Sequence, residues 1–374
     1  MVVRPVAGRR DLRRFVDLPY RLNARDPNWV PPLRMEVRKL LDRRGNPFFE
    51  HGEAEYFLAE RDGRVVGRIA AITNRLHNET HHDRTAFFGF FEAERDPAVA
   101  RALLDTAATW AGTRGFDTLR GPASFSTNDE CGILVRGFEH PNTIMMPHNP
   151  PWYEELVLEA GFAPVKDLIV YQGGSMDAPV EPPERLVRAL RLQQERLGIT
   201  LRPLRLDRFR EEVETVKELY NLCWEANWGF VPMTEKEIDH LAEGFKPVVV
   251  PELVPFVEKD GRPIGFAVAL PDLNEVLREN RQGRLFPAAL RMLWAVKRRR
   301  FKRARILLLG VIPEFRGKGV DAIMYHHIWT AAGRMGCGWG EAGWILDDNV
   351  AMNQALLKMT FTPYKTYRLY DRRL

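Results

Sequence analysis

Two short passages of this chain occur twice, in the same order and at nearly the same distance. Asp62-Gly63-Arg64-Val65-Val66-Gly67 returns 198 residues later as Asp260-Gly261-Arg262-Pro263-Ile264-Gly265, and Phe162-Ala163-Pro164-Val165-Lys166 returns 199 residues later as Phe361-Thr362-Pro363-Tyr364-Lys365. Coincidence does not preserve both order and spacing, so the chain reads as one folding unit duplicated. Its 374 residues suffice for two ordinary domains, each able to bury a core. The stretch Gly173 to Pro183, GGSMDAPVEPP, has linker composition. These features predict a first domain over 1–174, a linker over 175–183 and a second domain over 184–374. Within the first half, YFLAE, an Asp62-Gly63 turn and RVVGRIAAI read as a hairpin. Then TAFFGFFE reads as a strand, and Pro97 opens a helix with Leu103, Leu104, Ala107, Ala108 and Ala111 on one face. Strands and helices alternate, which makes each half α/β.

The second half carries the more informative version of that strand, loop and helix. Ile306 to Leu309 is apolar, Gly310 to Pro313 leads out of the core, and Arg316-Gly317-Lys318-Gly319 meets a helix predicted from Val320. Glycines there let the backbone approach a ligand closely, and the first turn of a helix leaves N–H groups without internal partners. With Arg316 and Lys318 alongside, the segment is suited to a phosphate or pyrophosphate. It lacks the Ser or Thr of a nucleotide P-loop and the spacing of a dinucleotide fingerprint.

Strand, V-x-P-x-x-R-G-K-G and helix together resemble the acyl-CoA-binding motif of the GCN5-related N-acetyltransferase (GNAT) superfamily. The resemblance implies two tandem GNAT-like domains, each a mixed central sheet flanked by helices. It implies acetyl-CoA or a longer acyl-CoA as co-substrate, with Val311 and Ile312 along the pantetheine and Arg316, Gly317, Lys318, Gly319 and Val320 around the pyrophosphate. Asn349 and the helix after it resemble the family's closing pattern, whose tyrosine, often the acid that protonates the departing thiolate, falls here on Leu356. The corresponding loop of the first half reads AERDP, with Glu94 and Asp96 and no glycine. Those acids would repel a pyrophosphate, so the first domain is expected not to bind coenzyme A in the usual place.

A polar run, Ser124 to Glu130, ends the strand through Leu119 and has the character of an active-site edge. Asp129 and Glu130 are candidate general bases, because a protonated amine of pKa about 10 must lose a proton before it attacks a thioester. Ser126 and Asn128 are candidate substrate contacts; the alternative for Asn128 and Asp129 is capping of a tight turn. In NTIMMPHNPPWY, His148 is a candidate base or proton shuttle and Trp152 a candidate substrate wall. The aromatic segment EANWGFVPMT, with Trp224 just before it, supplies Trp224, Asn227 and Trp228, with Glu225 a weaker polar candidate. Asp348 is a further site candidate, and Tyr364 a substitute acid for the missing tyrosine.

Composition limits the remaining classes. A formal charge of +5 favours an anionic ligand without calling for nucleic acid, and no nucleic-acid motif is present. Three scattered cysteines without CxxC suggest a reducing cytoplasm and no zinc site, and His77, His81 and His82 read as a solvated loop, so no metal is expected. No signal peptide or membrane span is apparent. Residues 297–305 hold seven basic side chains in nine positions, preceded by Leu285, Phe286, Leu290, Leu293 and Trp294 at helical spacing. That combination suits peripheral contact of 285–305 with an anionic membrane at its inner face. The expected activity is transfer of an acyl group from acyl-CoA to a primary amine, including a lipid-like one such as a sphingoid base. The competing class is a non-catalytic acyl-CoA-binding or membrane-associated protein. Monomer and homodimer are equally compatible with the sequence.

Overall fold

The structure, a computed structural model, describes residues 1–224 and 227–374. The first half contains strands β1 (Val2–Pro5), β2 (Gly52–Arg61), β3 (Arg64–Asn74), β4 (Thr85–Ala93), β5 (Thr118–Gly121), β6 (Ile133–Arg136) and β7 (Ala163–Gly174). Its helices are α1 (Gly8–Leu22), α2 (Arg34–Leu40), α3 (Arg75–His81), α4 (Pro97–Gly112) and α5 (Tyr153–Glu159). The second half contributes β8 (Ile199–Pro203), β9 (Pro255–Lys259), β10 (Arg262–Pro271), β11 (Arg303–Val311), β12 (Trp339–Leu346) and β13 (Thr362–Arg373). Its helices are α6 (Glu184–Leu197), α7 (Phe209–Trp224), α8 (Glu235–Phe245), α9 (Asn274–Leu277), α10 (Ala288–Lys297), α11 (Val320–Arg334) and α12 (Val350–Lys358).

All strands join one mixed sheet in the order β1-β2-β3-β4-β5-β13-β7-β12-β11-β10-β9-β8, with β6 also on β13. The last strand of each half has therefore crossed over. β7 pairs with β12 of the second half, and β13 pairs with β5 of the first, while β7 and β13 lie antiparallel to each other. The repeated segments Phe162–Lys166 and Phe361–Lys365 thus lead into the two strands that bind the halves together.

Each half repeats one local device. In the second, the β10–β11 register slips between Val268 and Ala269, and β11 pairs in parallel with β12 only from Arg303 to Ile306. Beyond that point the two strands part. In the first, the β3–β4 register slips between Arg68 and Ala70, and β4 pairs with β5 only from Thr85 to Phe87. A bulge re-aims the strand and ends the pairing, so each half has a V-shaped gap at the same place.

Helix α4 starts at Pro97, as expected, and buries its predicted stripe Leu103, Leu104, Ala107, Ala108 and Ala111. The segment with His77, His81 and His82 is not a loop. It forms α3, closed by His82, with His77 buried, its ring centroid 4.5 Å from the tilted His81 ring, and held down to a pKa of about 4 by its burial. Asn74 caps that helix by accepting a hydrogen bond from the His77 amide, a cap that residue types alone do not distinguish from a turn. Among the described residues, no group of three or more metal-ligating side chains is assembled, and no helix is long and apolar enough to cross a membrane.

Candidate active site

The passage from β11 to α11 leaves its backbone open. Gly317 and Gly319 both take left-handed conformations, φ +70° and +80°, and a Cβ on Gly317 would meet nothing within 4 Å. Gly319 is the N-cap of α11 and no side chain among the described residues caps it, so the first amides of that helix are left open there. They face a groove of about 1330 Å³ lined by Val311, Arg316, Gly317, Gly319, Trp228 and Asp348, among others. Such a helix start is an anion site by construction.

Arg316 is placed differently from its sequence reading. Its guanidinium donates to the carbonyl oxygens of Cys223 (3.0 Å) and Leu222 (3.3 Å) at the end of α7 and to Val311 O (3.2 Å). Carbonyls in the last turn of a helix are unsatisfied and attract a cation, so Arg316 fastens the loop to α7. Lys318 lays its ammonium over the Phe315 ring at 4.9 Å, and its carbonyl accepts from Gln193 Nε2. Ile312 and Val320 are core residues, Ile312 pairing its amide with Ile264 O.

The groove runs into an inner chamber of about 210 Å³ where β11 and β12 part. Trp224, Asn227, Trp228, Asn349 and Met352 line both spaces. Walls come from Ile306 to Leu309 and from Gly343 to Leu346, with Phe245 of α8 as one cover, and the first half adds Thr127, Asn128 and Asp129. That contribution is fastened by hydrogen bonds across the halves. Thr127 Oγ1 donates to Gly229 O (2.7 Å), Asn128 Nδ2 donates to Val231 O (3.1 Å), and Tyr220 Oη donates to Asn128 Oδ1 (2.9 Å). Asn128 therefore positions the loop with both ends of its amide occupied.

Asp129 has one side-chain donor, Ser126 Oγ at 3.1 Å, and Ser126 in turn accepts from the Asn128 amide. Asp129 lines the chamber. Burial, reinforced by the negative charges of Glu237 and Glu130, pushes its pKa up to about 7. A carboxyl so tuned exchanges protons at neutral pH, as a general base must.

The structure does not bring the other candidates here. Glu130, the next residue, and His148 line a separate cavity in the first half. Tyr364 gives its hydroxyl to Glu341; burial, and then the Glu341 charge, raise its pKa, and neither residue lines groove or chamber. Glu341 also accepts from Thr143 Oγ1 (2.6 Å) and pairs with Arg305 Nε at 3.1 Å, so Tyr364 belongs to a buried network at the junction of the halves. Trp152 packs on the first-half core beneath Arg95. Asp348 sits at the groove's edge, paired with Lys166 at 2.6 Å, while Trp228 lies between Arg120 and Lys166. Asn349 caps α12. Glu225 lies outside the described residues.

Two chamber residues escaped the sequence reading. Tyr220 holds Asn128, and the buried Tyr325 turns its hydroxyl to Met352 Sδ at 3.4 Å, a weak acceptor, where groove and chamber meet. The only sequence signal for Tyr325 is its place on the helix that follows the glycines. Leu356, at the position of the family's usual tyrosine, is fully buried.

The open helix start and the parting strands fit the class that the comparisons show, an acyl-CoA-dependent N-acyltransferase. The chain belongs to the GNAT family: the sequence model described as Acetyltransferase (GNAT) family matches residues 213–359. It is similar to a bacterial ceramide synthase of Caulobacter vibrioides, 39% identical over 99% of this chain and 97% of the relative. Protein YghO of Escherichia coli is 33% identical over 100% of this chain and 95% of its own length. A solved tandem GNAT protein from the clavulanic acid biosynthesis pathway superposes with a TM-score of 0.60 at 14% identity, covering 100% of this chain and 98% of that one, which supports the tandem fold.

Proposed function

We propose that the chain moves an acyl group from acyl-CoA to the primary amine of a lipid-like acceptor such as a sphingoid base. The observation that carries this reading is Asp129, a carboxyl titrating near 7 inside the chamber where β11 and β12 separate. In the proposed reaction the pyrophosphate lies on the amides from Gly317 to Val320 and the thioester reaches the chamber. Asp129 takes a proton from the ammonium, and the amine nitrogen then attacks the thioester carbon. The tetrahedral intermediate expels the coenzyme A thiolate as the amide forms; the nitrogen gives up its second proton, which reaches the thiolate through the Tyr325 hydroxyl, donating its own proton and taking up the nitrogen's. No covalent enzyme intermediate is needed.

The acceptor class draws support from the name of the 39% identical relative and from the chamber's Leu, Ile, Met, Phe and Trp walls. We assign the halves to 1–174 and 184–374, with 175–183 between them, and give coenzyme A binding to the second alone. The apolar face of 285–294, with Phe286 72% and Leu290 59% exposed beside Arg291, Lys297 and Arg298, supports contact with an anionic membrane at its cytoplasmic face. The test is incubation with palmitoyl-CoA and sphinganine, following free thiol and the amide by mass spectrometry. Release of thiol with the amide supports the reading; binding of palmitoyl-CoA without either product would reduce the chain to a carrier.

A further inference from the structure

The first half holds a second cavity, of about 120 Å³, lined by Arg68, Glu92, Glu130 and His148 among others. It lies back to back with the chamber. Asp129 and Met145 line the chamber, whereas their immediate neighbours Glu130 and Met146 line this cavity, so two residue pairs form part of the partition.

Its polar groups are incompletely matched. Arg68 is 7% exposed; it donates from Nη1 to Phe15 O at 2.8 Å and stands 3.8 Å from Glu92, but its Nε has no partner among the described residues. His148 is 8% exposed and makes a 2.9 Å contact from Nε2 to Asp26; because a carboxylate only accepts, Nε2 carries the proton and Nδ1 is a buried acceptor with nothing to accept. Burial keeps this imidazole neutral by lowering its pKa. Glu92 accepts from Tyr153 Oη at 2.7 Å, while Glu130, an exposed residue, lines the cavity mouth and its carboxyl makes no hydrogen bond among the described residues. Two carboxylates thus face one guanidinium; loss of water around them raises the pKa of both, and the charge of Glu92 adds to the rise at Glu130.

One negative charge in excess, a free carboxylate and a free imidazole acceptor call for a cation that donates several hydrogen bonds. The volume has room for a head group and a few waters, and the remaining walls, among them Trp29, Val30 and Phe90, are apolar. Val30 also packs in a small cluster with Leu33, Leu277 and Ala288, at the foot of the helix whose outer face is apolar and exposed.

We propose that this cavity binds the ammonium head of the acceptor, with Glu130 and His148 Nδ1 as its hydrogen-bond acceptors and the apolar wall against its hydrocarbon stem. This site rests on the amine-acceptor reading above and deepens it: recruitment belongs to Glu130 and proton removal to Asp129, on opposite sides of one turn.

The experiment is calorimetric titration of the full chain, without acyl-CoA, with n-octylamine and with 1-octanol, which has the same chain and no charge. Octylamine should saturate one site at least tenfold more tightly than octanol. Glu130→Gln should weaken octylamine at least tenfold and leave octanol and coenzyme A binding as they are, which also reports that the variant is folded; Asp129→Asn should retain octylamine. In turnover, Glu130→Gln should raise KM for the amine, with a loss of kcat far smaller than that of Asp129→Asn. Equal binding of octylamine and octanol, absence of octylamine binding, or unaltered octylamine binding in Glu130→Gln overturns the proposal. Glu130-dependent octylamine binding in a chain that makes no amide would leave this site standing and remove the transferase reading instead.

Discussion

The two halves of the molecule share a bulge, a V-shaped gap and a helix that follows, yet they treat the gap oppositely. In the first half the chain plugs it with itself: the Ala123 amide donates to Phe88 O at 2.8 Å, a Cβ on Gly89 would strike Ala123 O, and Phe125 packs fully buried against Phe90. The start of α4 is closed as well, by the Asp96 carboxylate accepting from the Ala98 amide. In the second half the gap opens into the chamber, and α11 begins on an uncapped glycine. A carboxylate at a helix start satisfies the same donors that a pyrophosphate would use. On the proposed reading, the second half offers the anion site, while the first serves as a wall of the reaction chamber and the source of its base.

The sharpest way to break this comparison is to remove what the first half contributes to the second. Asp129→Asn should lower kcat by roughly 10² to 10⁴, the span of general base catalysis, with coenzyme A affinity unchanged by calorimetry. A loss below about tenfold would return the base to the second half.

Next in size is converting the open helix start into the closed kind. Gly319→Asp brings a carboxylate to the α11 start, as Asp96 does at α4, though from a left-handed rather than an extended backbone position. It should weaken coenzyme A by about 10- to 100-fold, or roughly 1.4 to 2.8 kcal/mol, with thermal melting to confirm folding. Normal affinity in that variant would mean that the α11 amides do not hold the pyrophosphate.

The pH profile of kcat at saturating amine sharpens the role of Asp129. A base works only when deprotonated, and its pKa is raised to about 7. The rate should therefore fall about tenfold per pH unit below 7 and reach a plateau above it, and Asp129→Asn should lose that inflection. The smallest effect is expected from Asp96→Ala. Loss of an N-cap costs about 1 kcal/mol, read as a modest fall in Tm, and should create no second coenzyme A site because the gap above α4 stays plugged.

What the sequence made legible follows the range of the interactions. The glycines of 317–319 and the acids of 94–96 act on the backbone beside them, so the contrast between the two helix starts could be read directly. Asp129 could be singled out as a carboxyl at a strand end. Its separation from Glu130 could not, because it depends on whether a side chain faces β11 or Arg68. Tyr364 and His148 were read as chemical groups because their partners, Glu341 at 23 residues and Asp26 at 122, are supplied only by the fold. The exchange of β7 and β13 likewise leaves no local trace, since either strand matches the same pattern and only the assembled sheet decides its neighbour.

The most direct measurement is a crystal structure of the full chain with a non-hydrolysable acyl-CoA. The account predicts one ligand per chain, its diphosphate within hydrogen-bond distance of the amides at 317–320 and its acyl carbonyl in the chamber beside Asp129. A diphosphate seated at α4, or a carbonyl remote from Asp129 with the chamber closed to it, would contradict the account.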